Sequence, residues 1–389
     1  MTSDTHRLRR RSIGALGIAA TLALAAASTA SATTEPPGTE GPDASAAPEG
    51  AASLDELTAA ATQEGTVNLI ALPDTWANYA GVIATFGEKY PDIDHPVQAP
   101  DASSAEEIVA VETQRGSDTM PDVLDVSPAV ALQAVEDGIF DPYMPTLWDE
   151  IPENLRDPDG NWVGAYYGIM AIGVNTTLVE TVPASFAELN NPDYEGMVSL
   201  NGDPRESGAA FAAVMAASLA NGGSFDDIMP GIQYFADLKA AGVLNEINMS
   251  EASILAGETP IVLDWTYNFP GLIPKIEEAG FTFASAVPSD AVYGAYYAQG
   301  VVADSPHPNA ARLWIEHILS DEGALEYLEG GAIPARYATL VENGTITDDM
   351  LANLPAPELI DQVSFPNADQ FAAAQQALAA NWGPMVTDA

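Results

Sequence analysis

Cysteine is missing from all 389 residues. Its absence excludes disulfides, thiolate nucleophiles, Cys-based zinc sites and iron–sulfur clusters. It also excludes anchoring through a lipid-bearing cysteine. Basic residues are scarce: 12 Lys and Arg stand against 56 Asp and Glu, a formal net charge of -44. No nucleic acid is expected as a partner, because phosphate binding needs clustered Lys and Arg. Such a balance suits a soluble protein with a solvated acidic surface. Only four His occur. His95 and His307 lie in Pro-flanked turns and His317 in a helical stretch, so none pairs with a nucleophile. G-x-S-x-G, H-E-x-x-H and the deaminase signatures are all lacking. No catalytic residue, resident metal or cofactor is expected. After the N-terminus no apolar run is long enough to span a bilayer.

What is present begins with an export signal. "HRLRRRS" is a basic n-region, "IGALGIAATLALAAA" an apolar core, and Ala30 to Ala32 a small-residue cleavage site. Residues 1–32 are expected to be removed, and Arg10-Arg11 leaves both the general and the twin-arginine export routes open. Residues 33–52, rich in Pro, Gly, Ala, Thr and Glu, form a linker with nothing to build a core. The expected location is a periplasm-like space or the cell surface.

From Ser53 the chain alternates helices with short apolar strands. "SLDELTAAATQEG" has a Ser cap, early acidic residues and a Gly stop. "TVNLIAL" and "DVLDVS" read as buried strands, and "WANYAGVIATFGEKYP", "AEEIVAVETQRG" and "PAVALQAVEDG" as helices. The pattern predicts an α/β fold with a largely parallel sheet. "WVGAYYGIMAIGVNTTLV" and, later, "AYYAQGVVAD" are extended stretches that read as crossings between two lobes. Between them lie the strands "MVSL" and "PIVLDW", an Ala-rich helix after Gly208, and a helix opened by a Ser224/Asp227 capping box. "HPNAARLWIEHILSDEGALEYLEGG" reads as a helical pair broken near Ser320.

Two kinds of residue mark a binding site. The loop "LNGDPRESGAAF" runs from a strand into a helix. It lacks the Lys of a nucleotide-binding loop. Ser207 is a cap, Gly208 begins a run of free N–H groups, and Arg205 beside Glu206 is a rare cation able to clamp an oxyanion. An ordinary cap, with Arg205 paired to Glu206 or Asp203, explains the same residues equally well. Aromatic residues cluster after the strands: Trp76 and Tyr79, Trp265 and Tyr267 behind Asp264, Tyr166 and Tyr167 on the first crossing, and Tyr293, Tyr296 and Tyr297 before the second. Open α/β sheets bind ligands beyond the carboxyl ends of their strands, so these groups are expected to converge in an interlobe cleft.

The signal, the linker, "LTAAATQEGTVNLIAL", "PDVLDVSPAVALQAVEDGIFDPY", "DGNWVGAYYGIMAIGVNTTLV", "ASFAELNNPDYEGMVSLNGDPRESGAAF" and "HPNAARLWIEHILSDEGALEYLEGGAIPAR" together resemble bacterial extracellular solute-binding proteins of ABC importers. The similarity is to the type II periplasmic binding proteins of the ferric-iron, polyamine, thiamine and aminophosphonate branch, over nearly the whole chain after the signal. The resemblance implies two α/β lobes joined by crossing hinge strands and closing over a solute. Lobe 1 would take residues 53–168 and lobe 2 residues 169–292. Residues 293–389 would make the second crossing and return to lobe 1, with part packing on lobe 2 as the alternative. Contacts carried over fall on Asp74, Trp76, Ser103, Ser104, Ser127, Tyr167, the Arg205, Glu206, Ser207, Gly208 turn, Asp264, Trp265 and Tyr267. Adjacent tyrosines used by iron binders after the "IVLDWTYNF" strand are replaced here by Trp265-Thr266-Tyr267. The implied cargo is a small zwitterionic or cationic organic solute such as a polyamine or aminophosphonate, with ferric iron as the alternative. The implied partner is an ABC permease with its ATPase, and the receptor itself a monomer. A secreted hydrolase using paired carboxylates is the rival from another class.

Overall fold

Ser53 opens the first helix, Leu54–Glu64, by accepting from the Glu56 amide while Glu56 reaches back to the Ser53 amide, and Gly65 ends it in the left-handed conformation at φ 73°. The computed structural model describes residues 53–351 and 354–388. The expected export signal and the linker lie outside these residues. Among the described residues, no helix is long and apolar enough to cross a membrane.

Ten strands follow in chain order: β1 (Leu69–Ile70), β2 (Val97–Gln98), β3 (Val123–Val126), β4 (Tyr166–Asn175), β5 (Val198–Leu200), β6 (Ile261–Trp265), β7 (Phe283–Ala286), β8 (Gly294–Tyr296), β9 (Ala298–Val301) and β10 (Ile333–Pro334). They build a two-lobed α/β fold, as the resemblance implies. One lobe carries β1 paired with β2 and β3 paired with β9. The other is organised on β4, which is buried along its whole length and pairs with β6 and β7 through its second half. Its first half pairs with β8 and β10.

The two expected crossings lie side by side. Val163 bridges Gln299 and Tyr167 faces Tyr296, both antiparallel. Chain passing between the lobes therefore does so as a paired ribbon. This corrects the expected parallel sheet. β1–β2 and β5–β6 are parallel, but all the other strand pairs are antiparallel. The reason is topological: a strand arriving from the other lobe enters the sheet against the direction of the local βαβ units.

The Ala-rich helix Gly208–Ala220 is apolar on every side and buried from Ala209 to Ser218. An all-round apolar helix belongs inside a lobe, and this one packs on β6 and on the helix Met229–Ala240. The second of these helices differs from expectation at its start. Ser224 and Asp227 bridge each other in a turn, and the helix begins at Met229 with Pro230 in its first turn and no side-chain cap. The two helices approach so closely at Gly231 that an added Cβ would stand 2.0 Å from the Val214 carbonyl oxygen. Gly231→Ala is therefore expected to destabilise the fold by about 1–3 kcal/mol, the usual range for overpacking. Urea unfolding checks this; an unchanged midpoint would mean that the helices part without cost.

Candidate functional site

The loop after β1 is wound tightly. Ala71, Ala77 and Asn78 have φ of 57°, 46° and 58°, a region that costs a non-glycine residue about 1 kcal/mol or more. The expected helix from Trp76 accordingly starts only at Tyr79, running Tyr79–Lys89. What holds the turn is the helix Asp321–Glu329. The Asn78 amide donates to the Glu326 carboxylate at 2.9 Å and to its carbonyl at 3.1 Å. Gly330, just past that helix, lies against Ala77 and Asn78 with no room for a Cβ. The strain leaves Trp76 outside the helix, half-buried, with its indole N–H on the Tyr166 hydroxyl at 2.8 Å.

Around Trp76 the aromatic side chains of both lobes and of the crossings meet. Its ring centre lies 5.2 Å from that of Tyr267 and 5.5 Å from that of Tyr297. Tyr267 sits on the short turn Thr266–Asn268 after β6, and Tyr297 between β8 and β9. Tyr166 stacks on Tyr327 at 4.5 Å and meets Tyr79 and Tyr267 edge-on at 6.0 Å. Trp265 stacks between Tyr267 and Tyr293 at 6.2 and 6.1 Å. Gly168 on β4 makes room: a Cβ there would lie 2.4 Å from the Tyr267 ring.

Beneath these rings lies one carboxylate. Asp125, in the middle of β3, is 6% exposed. Its Oδ2 accepts from the Tyr79 hydroxyl at 2.8 Å, Tyr79 accepts from the Gln299 amide at 2.7 Å, and Gln299 accepts from the Trp314 indole at 2.9 Å. Glu107, also buried, accepts from the Asp125 backbone N–H at 2.9 Å. Burial pushes the Asp125 carboxyl up to about 7, against the lowering effect of the Tyr79 hydrogen bond. Burial, then the Asp125 charge, pushes Glu107 up to about 10. Burial also raises the phenols of Tyr79, Tyr166, Tyr267, Tyr297 and Tyr327, and Asp125 raises each of them further. Five phenols thus share Asp125 as a carboxylate neighbour, with Asp264 also acting on Tyr267 and Glu107 on Tyr297. Aromatic rings and a carboxylate together have the chemistry to hold a positive group.

Of the residues singled out in the sequence, Trp76, Tyr79, Tyr166, Trp265, Tyr267, Tyr293 and Tyr297 come together in this cluster. Asp264 lies behind it, fully buried, accepting from the Trp265 amide (2.8 Å), Asn268 (3.0 Å) and Asn201 (3.1 Å). Burial raises its carboxyl to about 6. Tyr167 meets Phe365 at 5.5 Å rather than the cluster. Ser103 caps its own helix, Ser104–Gln114, on the exposed surface, and the Ser104 hydroxyl accepts from the Ser127 amide at 3.0 Å. Asp74 is exposed. In the "LNGDPRESGAAF" loop, Ser207 caps the helix by accepting from Ala210 at 3.3 Å. The Arg205 guanidinium is held by Asp203, with Nε on Oδ1 at 2.9 Å and Nη2 on Oδ2. Glu206 and Gly208 are exposed. A separate cavity of about 330 Å³ lies beside this loop, lined by Asp203, Lys239, Asn245, Glu246 and Trp382 among others.

Asp125, Gln299 and Tyr327 belong to the cluster without having been singled out. For Asp125 a signal existed, since a carboxylate inside the four-residue strand "VLDV" has no solvated face to occupy. Gln299 and Tyr327 carried none: each becomes informative only through partners distant in sequence.

The family model described as "Bacterial extracellular solute-binding protein" matches residues 118–367. The Iron uptake protein A1 of Synechocystis is 26% identical over 227 residues, 56% of this chain and 62% of that protein. The chain spans from 26% to 62% of the length of the curated relatives it matches. Among solved structures, the periplasmic binding protein AfuA of Actinobacillus pleuropneumoniae, with fructose-6-phosphate bound, is 18% identical. It superposes with a TM-score of 0.61 over 83% of this chain and 99% of that chain. The spermidine/putrescine substrate-binding protein PotD of Streptococcus pneumoniae is 13% identical, with a TM-score of 0.61 over 82% of this chain and 99% of that chain.

The Asp125 environment has a consequence for stability. Its folded pKa is raised above the unfolded value near 4, so the native state binds the extra proton between about pH 4 and 7. Stability from this group is present at low pH and lost as pH rises, by up to about 1.4 kcal/mol per unit. Asp125→Asn should therefore gain on the original chain in melting temperature as pH goes from 4 to 7, and the gain should level off above 7. A constant difference across that range would show that Asp125 ionises freely in the folded state.

Proposed function

The chain belongs to the bacterial extracellular solute-binding proteins, and from that premise we propose that it is the solute receptor of an ABC importer, with a small organic cation as cargo. The family is one of binding proteins, which sets aside the hydrolase alternative. The observation carrying the cargo class is the group of five phenols and two indoles around the buried carboxylate of Asp125. Rings supply cation–π attraction and Asp125 the counter-charge. A polyamine, or another solute with an amine end, has the matching chemistry.

An anionic handle has less support. The Arg205 guanidinium already holds Asp203, and the helix end behind Ser207 is capped by Ser207 itself. This shifts the reading from a zwitterion toward a cation. Ligand contacts are proposed at Trp76 and Tyr267, with Trp265 backing Tyr267. Asp264 serves to fix the turn carrying Tyr267 through Asn268. Closure would proceed by bending the paired crossings, with lobe 1 at 53–168, lobe 2 at 169–292 and the remainder returning. A monomer exported by its N-terminal signal would hand its cargo to a permease driven by a separate ATPase.

Ferric iron remains as a second reading on one observation: phenols and a carboxylate form an all-oxygen donor set, which suits a hard cation. The name of the Synechocystis relative points the same way. A thermal-shift screen with putrescine, spermidine, 2-aminoethylphosphonate and ferric citrate separates the two. A ligand at 100 times its dissociation constant adds about 2.7 kcal/mol of stability. Stabilisation by an amine supports the organic cation, stabilisation by ferric citrate alone supports iron, and no shift with any of them refutes both.

Two substitutions test the site against the loop. Trp76→Ala should weaken amine binding by about 2 kcal/mol or more, as loss of a central aromatic anchor does, while the fold persists. Arg205→Ala should leave affinity within about threefold, less than 0.7 kcal/mol. Calorimetric titration measures both, and a large loss at Arg205 with none at Trp76 would move the cargo to the helix end.

A further inference from the structure

Lys239 is the exception among the basic side chains. Every other Lys and Arg among the described residues, from Lys89 to Arg336, pairs with an Asp or Glu. In a chain with 56 acidic residues, Lys239 pairs with none of the described ones. It lies in the last turn of the helix Met229–Ala240, where the backbone dipole favours a cation. Its Nζ donates to the carbonyls of Val386 at 2.6 Å and Thr387 at 3.1 Å, in the C-terminal turn Gly383–Thr387. An ammonium carries three N–H donors. Two are used in this way, and the third has no acceptor among the described residues. Carbonyl dipoles fix the ammonium in place without cancelling its charge.

This ammonium lines the cavity of about 330 Å³ beside the "LNGDPRESGAAF" loop. No residue of 53–168 and no member of the Trp76 cluster lines it. One wall is the chain after the helix Met229–Ala240, which runs along β5. Asn245 donates its amide to the Val198 carbonyl at 2.7 Å and Met249 to that of Leu200 at 2.8 Å. Four residues of this chain thus match two of β5, so Glu246 to Asn248 arch out of the sheet. Glu246 and Asn248 are exposed on that arch and line the cavity. Glu246 has no basic partner among the described residues and does not pair with Lys239. Asp203 also lines the cavity, but Arg205 already matches its charge. The cavity therefore has one unmatched cation on the helix and one unmatched anion on the arch. Leu200, Leu244 and Trp382 supply apolar surface, with Trp382 held against Phe235 at 5.8 Å.

We infer that this cavity is a second solute site, separate from the Trp76 cluster, for a free α-amino acid with an apolar side chain. The carboxylate takes the remaining N–H of Lys239 as a charge-assisted hydrogen bond. The ammonium takes the Glu246 carboxylate, and the side chain lies on Leu244 and Trp382. Charge decides the class. An anion alone would meet Glu246 and a chain of net charge -44. An amine alone would meet Lys239. A zwitterion is neutral as a whole and satisfies both ends. Size agrees, because about 330 Å³ stands at the lower end of small-molecule sites, about 300–1,000 Å³. The inference goes beyond the importer reading and does not depend on which cargo the Trp76 cluster takes.

The test is calorimetric titration of the full-length protein with L-leucine, L-methionine, 4-methylpentanoate and 3-methylbutylamine. The last two are leucine without its ammonium and without its carboxylate. The proteins are the original chain, Trp76→Ala, Lys239→Met and Glu246→Gln, and the two leucine fragments are titrated into Trp76→Ala so that the aromatic cluster takes no part. The expected result is that at least one of the two amino acids binds, that Trp76→Ala leaves its affinity unchanged, and that each fragment binds at least tenfold more weakly than L-leucine. Lys239→Met and Glu246→Gln should each weaken the amino acid at least tenfold. Melting curves show whether each variant is folded. Glu246→Gln, an exposed change of one atom, keeps the test valid should Lys239→Met loosen the C-terminal turn. Amino-acid binding that is lost in Trp76→Ala places the ligand at the aromatic cluster and overturns the second site. Fragments that bind as well as L-leucine, or an affinity unchanged in Glu246→Gln, overturn the zwitterion. No binding of either amino acid overturns the site, and each of these results leaves the importer reading standing.

Discussion

A carboxylate taken out of water without a cation beside it is the constraint on which this molecule turns. Asp125 is buried in β3, its one hydrogen-bonding oxygen held by Tyr79 and its other oxygen bare. Water normally repays the cost of such a charge. Here burial favours the protonated acid instead. The phenols around it are kept neutral by the same burial. Phenols raised by burial stay neutral hydroxyls and present ring faces instead of competing charges. The acidic surface, with a chain charge of -44, raises the local concentration of cations at long range.

The fold brings this about by crossing. β4 pairs antiparallel with β8, and just before β4 Val163 bridges Gln299, so Tyr166 and Tyr297 lie together on this ribbon. The loop carrying Trp76 reaches them from one side and the turn carrying Tyr267 from the other. Left-handed backbone at Ala77 and Asn78 keeps Trp76 off the adjacent helix, and the helix Asp321–Glu329 holds that backbone in place. Local strain and a distant helix thereby set one aromatic contact between lobes. Such a contact would break if the lobes swung apart.

Much of the architecture was legible in the sequence, because it is written in local patterns. The capped first helix, the two extended crossings, the strands "MVSL" and "PIVLDW" and the helical pair broken at Ser320 all follow from periodicity, caps and breakers. Strand direction was not legible, because it depends on which lobe a strand enters from. The site was legible only in part. Aromatic residues after strands pointed to Trp76, Trp265 and Tyr267. Choosing between Tyr166 and Tyr167 was out of reach, since β4 is buried on both faces and alternation carries no signal there. Gln299 and Tyr327 gain meaning only from Tyr79, more than 200 residues earlier. The loop "LNGDPRESGAAF" allowed two readings, and in the structure Arg205 bonds Asp203.

The pH dependence of amine affinity tests the account most directly. An ammonium group needs Asp125 ionised, while the unoccupied site holds that carboxyl near 7. Putrescine or spermidine, fully protonated throughout, should therefore bind about tenfold more weakly for each unit that the pH falls from 7 to 5, and this slope should vanish in Asp125→Asn. Affinity that is flat between pH 5 and 7 in the original chain would contradict the claim that a buried, unpaired Asp125 receives the cargo.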